Sequence, residues 1–240
     1  MNNIVLNIPY SSTELPQYFW DNTCLAKDLI DQFNIHQTNT FIDRVFGKNT
    51  FPKIIAPYSK LYADILNTSH FVDTNNYDFI LTKTNKGRVI IKPTSEYKQV
   101  VLNEYYKPLH NRIEQSVSKL CSKGKTILID CHSHTQRDFK VSEEPIDICI
   151  SSSSKYSNSV INNYIVKYFK QNGYSVDLNQ TFSDAFVPQG FANTKNPNLN
   201  IVRISINESL YLSLGQTNQN FKKVQKDVQN LLKQLKIADF

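Results

Sequence analysis

The sequence predicts a single α/β domain with a mixed, largely parallel sheet covered by helices on both faces. Three observations predict it. Short runs of apolar, β-branched residues alternate along the chain with segments of helical periodicity. Those runs are apolar on consecutive positions, as strands buried on both sides must be. The chain of 240 residues, with 40% hydrophobic and 20% charged residues, is long enough to bury a core without disulfides.

Ile4 to Ile8 reads as the first buried strand, stopped by Pro9, which cannot donate to a ladder. Helical patterns follow over Leu15 to Phe33 and from about His36 to Phe46, and Lys53 to Ala56 reads as a short strand. An excursion at about 67–92 is Asn-rich and carries hairpin chemistry, with the turn at Asn85, Lys86 and Gly87. Ser95 to Cys121 is predicted as a long helix with a break near Lys107, because the Pro108 ring cannot sit in a regular helix interior. Thr126 to Cys131 is the clearest strand, and the polar HSHT after it opens a loop. Ile146 to Ile150 and Tyr174 to Leu178 are further strands, separated by a helix over Tyr156 to Gln171. Asn200 to Ile206 is the last strand. The closing amphipathic helix sets Val224, Val228, Leu231, Leu232 and Leu235 against Lys222, Lys223, Lys226, Lys233 and Lys236. No repeat or domain boundary interrupts residues 1–240.

The excess of 27 basic over 21 acidic residues permits attraction to anions, but the lysines are scattered and do not interleave with aromatics. Nucleic acid is therefore not an expected partner, and no run reaches membrane-spanning length. Cys24, Cys121, Cys131 and Cys149 form no CxxC pair and suit a reducing compartment. The N-terminus shows no basic segment before a long apolar stretch, so the expectation is cytoplasmic.

Ligands of open α/β sheets gather at the carboxyl ends of strands. Four such places carry pointed polarity: Tyr10 with Ser11 and Ser12, Lys60 to Asp64, Asp130 to His134, and Arg203 to Asn207. On an extended chain Asp130, His132 and His134 fall on one side, an arrangement that a metal site or a loop histidine would share. Arg203, Ser205 and Asn207 likewise share a face opposite Val202, Ile204 and Ile206. Either a site or an edge strand open to water would satisfy them, and periodicity does not choose.

Taken in order, IPYSSTELP, TNTFIDRVF, YSKLYADILN, YYKPLH, ILIDCHS, PIDICI, GYSVDLNQTFS and ISINESLY resemble the N-formylglutamate amidohydrolase family from Ile8 to Tyr211. The resemblance implies a hydrolase-like α/β fold similar to zinc carboxypeptidases and aspartoacylases. It further implies hydrolysis of an amide on an acidic amino acid, with zinc as cofactor if the protein is active, a small anionic amide as substrate or ligand, and a protein partner as a further option.

Carried over residue by residue, the family's metal positions fall on Tyr10, Asn39 and His132, so one expected ligand is kept. His134 is a candidate replacement, with Asp43, Glu14 or His36 as further donors. Ser205 stands at the family's glutamate, and Asp130 and His110 are the remaining candidates for proton handling and orientation. Substrate binding falls to Lys60, Asp64, Arg203 and Asn207, while Asn67 and Glu208 stand where the family carries arginines. The expectation is an altered active site, in an amidohydrolase-like protein or in an inactive member that binds a ligand or partner in the former active-site pocket.

Overall fold

The computed structural model describes residues 1–135, 138, 146–182 and 184–240. Pro145 of PIDICI and Ser183 of GYSVDLNQTFS lie outside the described residues. In chain order the elements are β1 (Asn3–Ile8), α1 (Gln17–Trp20), α2 (Lys27–Gln37), α3 (Ile42–Gly47), β2 (Lys53–Ile55), α4 (Ser69–Val72) and α5 (Ser95–Val100). After a π-helical stretch (Val101–Tyr106) come α6 (Lys107–Cys121), β3 (Thr126–His134), β4 (Ile148–Ser152), α7 (Ser159–Gln171), β5 (Val176–Leu178), α8 (Gln189–Ala192) and β6 (Leu199–Asn207). A short hairpin, β7 (Leu212–Ser213) and β8 (Gln216–Thr217), precedes α9 (Phe221–Ile237).

Six strands form one sheet in the order β2-β1-β3-β6-β4-β5. The pairs from β2 through β6 are parallel, and β4 reverses direction against β6. The predicted mixed, largely parallel α/β architecture is the one observed. Helices cover both faces. Ile30 of α2 and the α5–α6 segment pack with Val5, Leu128 and Ile201, whereas α3, α7 and α9 pack with Leu6, Ile129, Ile150 and Ile204. The apolar side of α9 is buried and its five predicted lysines are exposed.

Several local expectations are corrected. The first helical segment splits into α1 and α2 around the turn at Asp21–Asn22, where Thr23 and Cys24 leave to pair with Ile91 and Ile90. Helix α2 accordingly runs on to Gln37, and α3 starts only at Ile42. The break near Pro108 takes the form of the π-helical stretch just ahead of it, which leads directly into α6 with Pro108 in its first turn. Over 67–92 the backbone holds α4 and a turn with Gly87 at φ +76°, and the predicted strands of the hairpin reduce to the single bridge pair Lys83–Val89. The segment HSH is strand, not loop. Strand β6 runs alongside β3 as far as the pair His134–Asn207, which supplies ladder partners to the end. Among the described residues no helix is long and apolar enough to cross a membrane.

Candidate active site

Strand register assembles the site. The parallel pairing of β3 and β6 sets Asp130 beside Arg203, His132 beside Ser205 and His134 beside Asn207. In-register neighbours point to the same face, so the two predicted polar rows become one patch. Strand β6 lies between β3 and β4, which removes the edge-strand alternative. Asn7 of β1 joins from the other side, paired with Asp130. The same face is apolar toward the other end of the sheet, at Val5, Leu128 and Ile201. Polarity thus begins at the carboxyl ends of the parallel strands, as expected for a ligand site.

Asp130 is buried and lies 2.9 Å from both His132 Nε2, through Oδ2, and Asn7 Nδ2, through Oδ1. Burial works to raise the Asp130 pKa, but His132, Arg203 and the Asn7 hydrogen bond outweigh it and hold the carboxyl below its ordinary value. Burial lowers the His132 pKa, and Arg203 and Lys60 add to this against the pull of Asp130. The pair is therefore an ionised carboxylate and a neutral imidazole. Since the carboxylate only accepts, Nε2 carries the proton and Nδ1 keeps its lone pair.

His134 is occupied differently. Its Nε2 lies 2.8 Å from the Ile146 carbonyl and must donate, so Nδ1 accepts from the Ser205 hydroxyl at 3.1 Å. Burial lowers its pKa as well. Ser205 is fully buried and does not line the cleft, and it is no accessible nucleophile. Cys149, with Sγ 3.9 Å from His134 Nε2, is pushed up to about 11 by burial and stays a thiol.

The loops after β1 and β2 close the near wall. Tyr10 donates its hydroxyl to Asp64 Oδ1, while Lys60 Nζ lies 3.2 Å from Asp64 Oδ2 and 4.8 Å from the Tyr10 ring centre. Burial first, and the Asp64 carboxylate second, push the Tyr10 pKa well above its ordinary value. The Tyr10 ring meets His132 edge-on at 5.6 Å. Asn39 is held by its backbone N–H to the Tyr10 carbonyl, at 2.8 Å, and its Nδ2 faces the Ser133 carbonyl at 3.4 Å. Two residues on, Phe41 adopts φ +58°, an uncommon conformation for a bulky side chain. It turns the chain from the cleft-lining Thr38–Thr40 stretch into α3.

A cleft of about 1190 Å³ opens above this patch. Tyr10, Asn39, Lys60, His132, His134 and Arg203 line it, whereas Asp64, Asp130, Ser205 and Asn207 stand behind that lining. Asn207 is engaged locally, with Nδ2 on the Ile146 carbonyl and Oδ1 capping Ser209. His110 is set apart from the cleft. It packs against Phe71, Tyr106 and Phe186, neither ring nitrogen has a well-formed hydrogen bond among the described residues, and burial brings its pKa down to about 4. Of the further donor candidates, His36 lines the cleft and Glu14 and Asp43 do not.

Sequence reasoning missed Asn7 and Phe182. Asn7 is a polar residue two positions from Val5 inside an apolar strand, which was a readable signal. Phe182 carries the Arg203 guanidinium at 4.4 Å from its ring centre, and nothing in its sequence context announced that. Arg203 Nε and Asn39 Oδ1 are buried without a hydrogen-bond partner among the described residues.

Zinc sites of three protein ligands draw on imidazole, thiolate and carboxylate. Among the described residues no group of three His, Cys, Asp or Glu side chains could hold a metal. At the positions that the resemblance assigns to the metal stand a phenol that donates its proton to Asp64, a neutral carboxamide and one imidazole whose Nδ1 has no partner among the described residues. That donor set does not fit zinc.

A sheet of this order with a polar cleft at its strand ends defines a mixed α/β protein with a ligand site at its carboxyl edge. The family model for N-formylglutamate amidohydrolase matches residues 2–212, and the chain belongs to that family, for which amidohydrolase is the broad class. An N-formylglutamate amidohydrolase from Ralstonia eutropha JMP134 is similar in structure, with a TM-score of 0.75 at 17% identity, covering 98% of this chain and 92% of that one. The gene product Atu2144 from Agrobacterium tumefaciens is similar with a TM-score of 0.68 at 13% identity and the same coverages. At these identities the likeness speaks for the fold. No curated protein sequence matches the chain.

Proposed function

We propose that the cleft binds a small anionic amide of the N-acyl acidic amino acid class, and that the zinc-dependent hydrolysis implied by the family is not carried out by these residues. The observation that carries the reading is that Arg203 and His132 line the same cleft. Arg203 is braced on Phe182 and has an unpaired Nε, which leaves guanidinium donors for a carboxylate. His132 Nδ1 has no hydrogen-bond partner among the described residues and can accept the N–H of an amide. Lys60 adds a second positive charge on the cleft lining. Leaving a buried donor unmade costs about 1–3 kcal/mol, which a bound carboxylate would recover.

A second reading, amide hydrolysis, has one observation in its favour. The Asp130–His132 pair orients a neutral imidazole with its lone pair available, as a general base requires. Against it, the two groups hydrogen-bonded to or beside His134, Ser205 and Cys149, are buried behind the wall and offer no accessible nucleophile.

Calorimetric titration of the full chain with N-formyl-L-glutamate, with and without zinc, tests the proposal alongside an assay for released formate. Binding without turnover in both conditions is expected. Zinc-stimulated formate release that disappears in His132→Ala would overturn it.

A further inference from the structure

We infer that the ligand of this cleft carries an extended apolar acyl group, longer than formyl, lying along a strip formed by α2 and the β7–β8 hairpin. The inference rests on the cleft reading above and names its substrate class more closely.

Space is the first ground. N-formylglutamate has about a dozen heavy atoms, whereas clefts of roughly 300–1,000 Å³ already accommodate drug-sized ligands. The cleft here measures about 1190 Å³. The second ground is the lining beyond the polar floor. Leu25, Leu29 and Phe33 are spaced by four, so they share one side of the segment entering and forming α2, and all three line the cleft. The third is the pair of apolar side chains at the rim. Ile35 is 59% exposed and Leu214 is wholly exposed, and both border the same cleft.

Leu214 is the more telling of the two. It sits at the tip of the β7–β8 hairpin with φ +50°, followed by Gly215 at φ +74°. Turns of this conformation favour Asn, Asp or Gly at both central positions. A leucine there pays twice, in backbone strain and in apolar surface left in water. One exposed leucine is ordinary. An exposed leucine on a strained turn, at the mouth of a cleft whose helical wall carries Leu29 and Phe33 beside its polar residues, is accounted for by an alkyl chain that covers it. The polar floor holds the carboxylate and amide, and the strip takes the chain leading away from them.

The test is calorimetric titration of the full chain with N-formyl-, N-butanoyl-, N-hexanoyl- and N-octanoyl-L-glutamate, repeated on the Ile35→Ser/Leu214→Ser double variant. Both positions are exposed, so the variant is expected to fold, and its circular dichroism and melting curve check that. Affinity is expected to rise about twofold per added methylene, below the roughly fourfold of complete burial. In the variant the rise should flatten while the affinity for N-formyl-L-glutamate stays within twofold. Equal affinities from formyl to octanoyl overturn the inference and leave the cleft reading standing. An unaltered rise in the double variant removes the strip as its cause and overturns the inference too. If no member of the series binds, both readings fall together.

Discussion

Asp130 and His132, two residues apart on β3, face each other across 2.9 Å between Oδ2 and Nε2. A strand makes this possible because residues i and i+2 share a face, and burial makes it consequential because water cannot compete. Around that pair the site's other polar groups are ordered: Asn7 on the far oxygen of Asp130, Arg203 in register beside it, and Tyr10 edge-on to the imidazole.

Replacing the carboxylate without changing its shape should expose that dependence. Asp130→Asn removes the charge that Arg203 and the His132 proton rely on, and breaking such a buried arrangement costs about 3–5 kcal/mol. With Asn7 still hydrogen-bonded we expect a loss of about 2–4 kcal/mol in urea denaturation. A variant within 0.5 kcal/mol (~ the spread of neutral surface substitutions) would show that the pair does not support the fold.

Arg203→Ala is expected to weaken N-formyl-L-glutamate binding by about ten- to a hundredfold, since hydrogen bonds to charged groups contribute about 1.5–3 kcal/mol. Unchanged affinity for this and other anionic ligands, measured by calorimetry, would remove Arg203 from the carboxylate grip.

His110 makes stability depend on pH in a definite direction. Its folded pKa lies at about 4, below the ordinary 6.5, because it is desolvated. Between those values the unfolded chain binds a proton that the folded chain does not, so stability is complete above about pH 6.5 and falls as the pH drops toward 4. The contribution of this group is at most about 3 kcal/mol. Denaturation series at pH 7.5, 6 and 5 should show the slope, and His110→Phe, which keeps a ring among Phe71, Tyr106 and Phe186, should reduce it. His132 and His134, also lowered by burial, add to the slope that remains.

The donor argument predicts a gain as well as an absence. Protein purified without chelator and incubated with zinc should hold well under one equivalent by elemental analysis. The double substitution Tyr10→His/Asn39→Asp supplies an imidazole and a carboxylate beside His132 and is expected to raise the content toward one equivalent. Stoichiometric zinc in the unsubstituted protein, lost in His132→Ala, would contradict the donor analysis.

The sheet was legible because β1, the first half of β3 and β4 hold runs of consecutive apolar residues, and burial on both faces leaves that signature whatever the strand order. The family followed from the order of eight motifs, which needs no coordinates. Helix ends were less legible: the split between α1 and α2 arises from Thr23 and Cys24 pairing with residues nearly seventy positions away, and nothing local encodes that.

For the site, strand alternation by itself placed Asp130, His132 and His134 on one side and Arg203, Ser205 and Asn207 on one side. Whether those two sides coincide, and whether β6 is interior or edge, was decided by the register of β3 on β6, a long-range pairing. The division of labour at the cleft was decided the same way. Tyr10 turns its proton to Asp64, His134 spends both nitrogens on Ser205 and Ile146, and His110 withdraws into an aromatic nest. Residue type says which hydrogen bonds a side chain is able to make. Which of them it makes depends on neighbours that only the folded chain brings within about 3 Å.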